Sequence, residues 1–182
     1  VFLLTSGTAA NALCLSVMAP PYGAVYCHAQ SHIQSDECGA PEFYTGGAKL
    51  VPIEGDHGKI RGSDLKDLLE SASPDVHHVP PAAVSITQCT EAGTVYTIDE
   101  IAEIADLAHS RGLKLHMDGA RFANAVASLG CSPAEVTWRA GVDALSFGAT
   151  KNGTLAAEAA ALFDRSLAAT FAHRRMRGGH LL

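Results

Sequence analysis

Short apolar runs of four to six residues, rich in Val, Ile, Leu and Ala, recur along the chain at Val1–Leu4, Ala24–His28, Ala48–Ile53, Ala83–Thr87, Leu113–Met117, Asp143–Phe147 and Ala159–Phe163. They are too short for helices and lack the strict alternation of a half-exposed strand. Such runs predict strands buried on both faces. Helical patterns lie between many of them. Thr97-Ile98-Asp99-Glu100 has capping-box spacing, Ile101, Ile104, Ala105 and Ala108 then share one face, and Gly112 closes the helix. Ser63 is placed to cap another helix through Leu65, Leu68 and Leu69, with Pro74 beyond it as a stop. Strands alternating with helices predict a three-layer α/β/α domain around a mostly parallel sheet of about seven strands.

With 182 residues, 47% of them hydrophobic, one domain with a sizeable core is within reach. A net charge of −6 with 13 scattered basic residues argues against a nucleic-acid partner. No apolar stretch approaches the roughly 18 residues of a membrane helix, and the first residues show no basic signal-peptide region. Five cysteines, an odd number without a CxxC pair, fit thiols in a reducing, cytoplasmic compartment better than a disulfide framework. The chain opens inside a predicted strand and stops at "GGHLL" without a closing element, which predicts a fragment of a longer protein.

In an open parallel sheet, ligands sit beyond the carboxyl ends of the strands. Three stretches found there carry chemistry. "TSGTAAN" (5–11) turns at Gly7 into a helix of small residues, whose free N–H groups and dipole suit a phosphate. The same stretch also reads as an ordinary turn capped by Ser6 or Thr8, and it matches neither GxxxxGK[ST] nor GxGxxG. Asp118 ends an apolar strand, where an unpaired carboxylate is costly. Its partner could be Arg121, or a ligand cation such as a pyridinium, worth about 4 kcal/mol gross at ~4 Å and an effective dielectric of ~20. Lys151, in "SFGATKNG" (146–153), is a solvated loop lysine or an amine poised in a partly desolvated site to form a Schiff base. Phosphate seat, ring-nitrogen acid and amine together are the requirements of pyridoxal phosphate. A metal reading from His28, His32, Asp36, Cys38 and His116-x-Asp118 leaves Lys151 idle and has no HExxH behind it, so no metal is expected.

The stretches "SGTAAN", "HAQSHIQSDECGAPEF" (28–43), "GTVYT" (93–97), "LHMDGARFANA" (115–125) and "SFGATKNG" resemble the L-threonine aldolase family, within the aspartate-aminotransferase-like pyridoxal-phosphate enzymes, over nearly the whole chain. The resemblance implies that Lys151 binds the cofactor, Asp118 pairs with its ring nitrogen, and Ser6, Gly7 and Thr8 hold its phosphate with Thr150. It also implies Arg121 near the ring oxygen and His32 stacked on the ring face. The implied activity is cleavage of L-threonine and related β-hydroxy-α-amino acids to glycine and an aldehyde, with β-elimination on the same scaffold, or a non-catalytic cofactor-binding module, as the alternatives. A homo-oligomer built as a dimer of dimers is implied as well. By the same resemblance, residues 1–182 are most of a large domain lacking an N-terminal segment and a C-terminal small domain, toward which "RRMRGGHLL" (174–182) would lead.

One departure matters. Where the family often carries a histidine near the substrate hydroxyl, this chain has Thr90, in "TQCTEAGTVY" (87–96). Threonine is no base at neutral pH, so the candidates are His32, a phosphate-bound water or Glu91. That run resembles the branch of the family that also accepts bulky substrates such as phenylserine.

Overall fold

The structure, a computed structural model, describes residues 1–181. In chain order its elements are β1 (Phe2–Leu4), α1 (Gly7–Met18), β2 (Ala24–His28), α2 (His32–Ser35), α3 (Ala40–Thr45), β3 (Lys49–Ile53), α4 (Gly62–Ser71), β4 (Pro81–Thr87), α5 (Ile98–Ser110), β5 (Lys114–Gly119), α6 (Phe122–Leu129), β6 (Ala144–Gly148), β7 (Glu158–Leu162) and α7 (Ala168–Arg177). All seven strands form one sheet in the order β1-β7-β6-β5-β4-β2-β3. The pairings β3–β2–β4–β5–β6 are parallel, and β7 runs antiparallel to both of its neighbours, β6 and β1.

Successive strand residues point to opposite faces, and each face has its own core. Tyr26, Val84, Ile86, Leu115, Met117 and Leu145 meet Leu65 and Leu69 of α4, Ile101 and Ile104 of α5 and Phe122 of α6. On the other side Val25, Cys27, Ala83, Ala144 and Ala160 meet Leu13, Leu15 and Met18 of α1 and Phe171 of α7. The second face of the sheet is built of small side chains, so α1 packs close against it. Buried along most of its length between the sheet and α3 and α7, α1 is a central helix, and its small and apolar composition follows from that position.

Local signals account for most ends. Thr97 caps α5 with both arms of the capping box, its Oγ1 accepting from Glu100 N and Glu100 Oε2 accepting from Thr97 N at 2.7 Å. Gly112 follows with φ +73°, the left-handed turn that ends the helix. Ser63 does not cap α4. The helix starts two residues earlier than a Ser63 cap implies, at Gly62 after Arg61, and the Ser63 hydroxyl turns to the neighbouring Asp64. Residues 174–180 finish α7 and its turn, and contact the domain through Arg174 to the Tyr44 carbonyl, Arg175 to the Leu3 carbonyl and His180 to Thr5. Among the described residues no helix is long and apolar enough to cross a membrane, and all five cysteines are free.

Candidate active site

β1, β2, β5 and β6 all end at the same edge of the sheet, and the residues that follow them surround a cavity of about 280 Å³. One wall is the start of α1. Ser6 caps that helix, its Oγ accepting from Ala9 N at 3.1 Å, which leaves the hydroxyl proton free to donate. The Gly7 and Thr8 amides belong to the first turn, where no helical carbonyl reaches them, and both residues line the cavity. Unpaired amides at the positive end of a three-turn helix form an anion seat.

The floor is Asp118, buried near the end of β5. Its Oδ1 accepts from Ala120 N at 2.9 Å and its Oδ2 from the Asn11 amide at 2.8 Å. Arg121 is not its partner. That guanidinium binds Glu91 at 3.0 Å, and neither Arg121 nor Glu91 lines the cavity. Gly119 permits the turn beyond Asp118, because a Cβ there would sit 2.6 Å from Leu145 Cδ1 and 2.9 Å from the Ser146 carbonyl oxygen.

Lys151 enters from β6 on a single 3₁₀ turn, Thr150–Asn152, and both Thr150 and Lys151 line the cavity. The partly desolvated amine expected from the sequence is not found in this chain by itself: residues 150–157 are exposed, so little protein covers the ammonium. Among the described residues nothing pairs with it.

His32 starts α2 at the fourth side of the cavity, with Nδ1 2.9 Å from Glu37 Oε1. Glu37 is buried, and its Oε1 also accepts from the Asn11 amide at 2.7 Å. Burial pushes its carboxyl above the usual range, with the Asp118 charge adding to the effect and hydrogen bonds from Asn11 and His32 opposing it. Asn11, Glu37, Ser146 and Glu158 also line the cavity and were not singled out by sequence reasoning. Asn11 alone had a signal, an amide in the middle of a helix of mostly small and apolar residues, where a buried amide needs partners. Thr90 is buried outside the cavity, bonded to Thr94 and the His57 carbonyl. Of the residues weighed as metal ligands, His28 binds the Gly55 carbonyl and His116 lies between two serines, and no cluster of three such side chains occurs among the described residues.

Of the expected site residues, Ser6, Gly7, Thr8, His32, Asp118, Thr150 and Lys151 therefore meet at one cavity, and Arg121 does not. The arrangement offers an anion seat, a buried carboxylate and an unpaired amine to one small molecule.

Comparison with known proteins identifies the family and the fold. The profile of the family described as "Beta-eliminating lyase" matches residues 1–182. A low specificity L-threonine aldolase of Pseudomonas aeruginosa is 46% identical over 181 residues, covering 100% of this chain and 52% of the relative. The chain thus spans about half the length of the curated relatives it matches so closely. A threonine aldolase structure from Leishmania major superimposes with a TM-score of 0.90 at 31% identity, over 99% of this chain and 52% of that one. An aspartate aminotransferase variant of Thermus thermophilus, at 15% identity and a TM-score of 0.72 over 98% of this chain and 47% of that one, shares the fold alone. The three-layer fold expected from the sequence is the one observed, and by a match that runs its entire length the chain belongs to the beta-eliminating lyase family.

Proposed function

We propose that this chain, which spans about half the length of its curated relatives, belongs to a pyridoxal-phosphate-dependent carbon–carbon lyase. It cleaves L-threonine and related β-hydroxy-α-amino acids, phenylserine-type substrates included, to glycine and an aldehyde. The observation that carries this is the convergence of Lys151, Asp118 and the start of α1 on one cavity. The residues fit the cofactor: the Gly7 and Thr8 amides with the Ser6 and Thr150 hydroxyls for its phosphate, Asp118 for its ring nitrogen, Lys151 for its aldehyde carbon and His32 for a ring face. When bound, pyridoxal phosphate supplies a sink for the electron pair released at Cα.

The chain's own residues do the rest. Asp118, held from two sides by Asn11 and Ala120, keeps its charge aimed at one point and so favours a proton on a heteroaromatic nitrogen there. Lys151 is the residue that would hold the cofactor's aldehyde carbon, and its exposed, unpaired amine is free to do so. The β-hydroxyl proton passes to His32 or to a water held beside the phosphate. Glu91 is removed from that role by its ion pair with Arg121, and Thr90 by its chemistry. The closeness to low-specificity aldolases supports threonine as one substrate among several. The same reading carries a homo-oligomer, a cytoplasmic location, and a place in threonine breakdown and glycine supply.

Two measurements test it. The full-length protein with pyridoxal phosphate should show the visible band of a lysine-bound cofactor, and Lys151→Ala should lose it; a band unchanged in the variant overturns the assignment. With L-threonine, glycine and acetaldehyde should appear in equal amounts. Ammonia and a 2-oxo acid in their place would instead establish elimination, the reaction in the family's description.

A further inference from the structure

We propose that Glu37 is a positioning residue that holds His32 as its Nδ1–H tautomer, so that the Nε2 lone pair is the proton acceptor this site presents to the substrate β-hydroxyl. This deepens the lyase reading and rests on it for the identity of the substrate.

The geometry supplies the tautomer. Glu37 Oε1 takes two contacts, Asn11 Nδ2 at 2.7 Å and His32 Nδ1 at 2.9 Å, while Oε2 has no partner. The Asn11 amide cannot be turned round, because its Nδ2 also donates to Asp118 Oδ2 at 2.8 Å; reversal would set its carbonyl oxygen against two carboxylates. Oε1 is thus already an acceptor. With Glu37 ionised neither oxygen carries a proton, so Oε1 accepts from His32 as well. The ring nitrogen facing it must be N–H, which leaves Nε2 bare. Among the described residues Nε2 has no hydrogen-bond partner, and His32 lines the cavity.

Packing alone does not explain Glu37. Its side chain is wholly buried with one oxygen unpaired, a destabilising state that an apolar residue of similar size would avoid. What the carboxyl gains is contact with two residues of the cavity wall. The charged groups facing His32 are Glu37 beneath it, Asp118 through Asn11, and Lys151 and Glu158 across the cavity; Asp36, beside Glu37 in the chain, is exposed and bonded by Ser35. Of these only Glu37 touches the imidazole.

The test uses Glu37→Gln and Glu37→Ala in the full-length protein. In cofactor-free protein labelled with 15N-histidine, and with His32 assigned by its loss in His32→Asn, the wild-type ring should be Nδ1–H. Glu37→Ala should shift it toward Nε2–H. Glu37→Gln keeps an acceptor, so it should retain Nδ1–H. In loaded enzyme, Glu37→Ala should lower kcat by about tenfold or more and leave KM within about threefold, and Glu37→Gln should recover most of that loss. A wild-type Nε2–H ring overturns the proposal, and so does a Glu37→Ala variant that keeps the wild-type tautomer and kcat. Should Glu37→Ala fail to fold, the wild-type tautomer decides alone. Nδ1–H with no aldol cleavage supports Glu37's role and sinks the lyase reading; Nε2–H in an enzyme that cleaves threonine does the reverse.

Discussion

At the scale of single residues, the site rests on polar side chains that the sheet core encloses. His116 is the clearest of them. It sits on β5 two residues before Asp118, fully buried, with Nδ1 2.9 Å from Ser85 Oγ on β4 and Nε2 2.9 Å from Ser146 Oγ on β6. Burial pushes it down to about 4 against the pull of Asp118. The sign follows directly. Unfolded, the ring takes a proton near its ordinary 6.5; folded, it resists until about 4. Its contribution is intact above 6.5 and is lost progressively as pH falls toward 4. At about 1.4 kcal/mol per tenfold change in proton affinity, the loss is about 3 kcal/mol. Urea unfolding above, within and below that window should show wild type losing stability across it and His116→Gln losing less. Above the window the variant should already be weaker, because it cannot serve both serines. An equal pH slope in the two proteins would show that His116 does not carry this linkage.

At the scale of elements, the strands were legible because a strand buried on both faces writes itself as an unbroken apolar run. The run Ala24–His28 is β2 to the residue, and the others differ from the observed strands by one or two residues at an end. α5 was legible because its cap, its stripe and its terminal glycine all lie within its own sequence. The start of α4 was not: it begins at Gly62 after Arg61 with no side-chain cap, so nothing local announces its first turn. The site divides the same way. Ser6, Asp118 and Lys151 could be found because each directly follows or ends a strand. Asn11, Glu37 and Asp118 are joined by hydrogen bonds across 26 and 107 residues of chain, which no local pattern encodes. Arg121 shows the hazard of reading partners by proximity, since its carboxylate lies 30 residues upstream. The locality of α5 gives an element-scale prediction. Thr97→Ala removes one arm of the capping box and should cost about 1 kcal/mol. The urea midpoint should fall with an unchanged m value. Cofactor binding should not change, because α5 packs on the face of the sheet away from α1.

At the scale of the whole molecule, the two faces of the sheet have different tasks. The α4–α5–α6 face is a large aliphatic core, while the α1–α7 face carries the helix whose first turn is the anion seat. That second face is held by joining distant parts of the chain. β1 pairs with β7, Phe2 packs on Phe171 with ring centroids 4.7 Å apart, and Arg175 bonds the Leu3 carbonyl. β1 leads straight into Ser6 and Gly7, so whatever loosens Phe2 loosens the start of α1. Phe171 and Leu65 are both fully buried, one on each face. Truncation to alanine should cost about 3–5 kcal/mol for Phe171 and about 2–5 kcal/mol for Leu65. Comparable losses of stability should nevertheless have unequal effects on function. At a temperature where both variants remain folded by circular dichroism, Phe171→Ala should release pyridoxal phosphate faster than wild type in a dilution assay read by absorbance, and Leu65→Ala should not. Equal release rates would mean that the cavity is supported by the domain as a whole and not by the layer that contains α1.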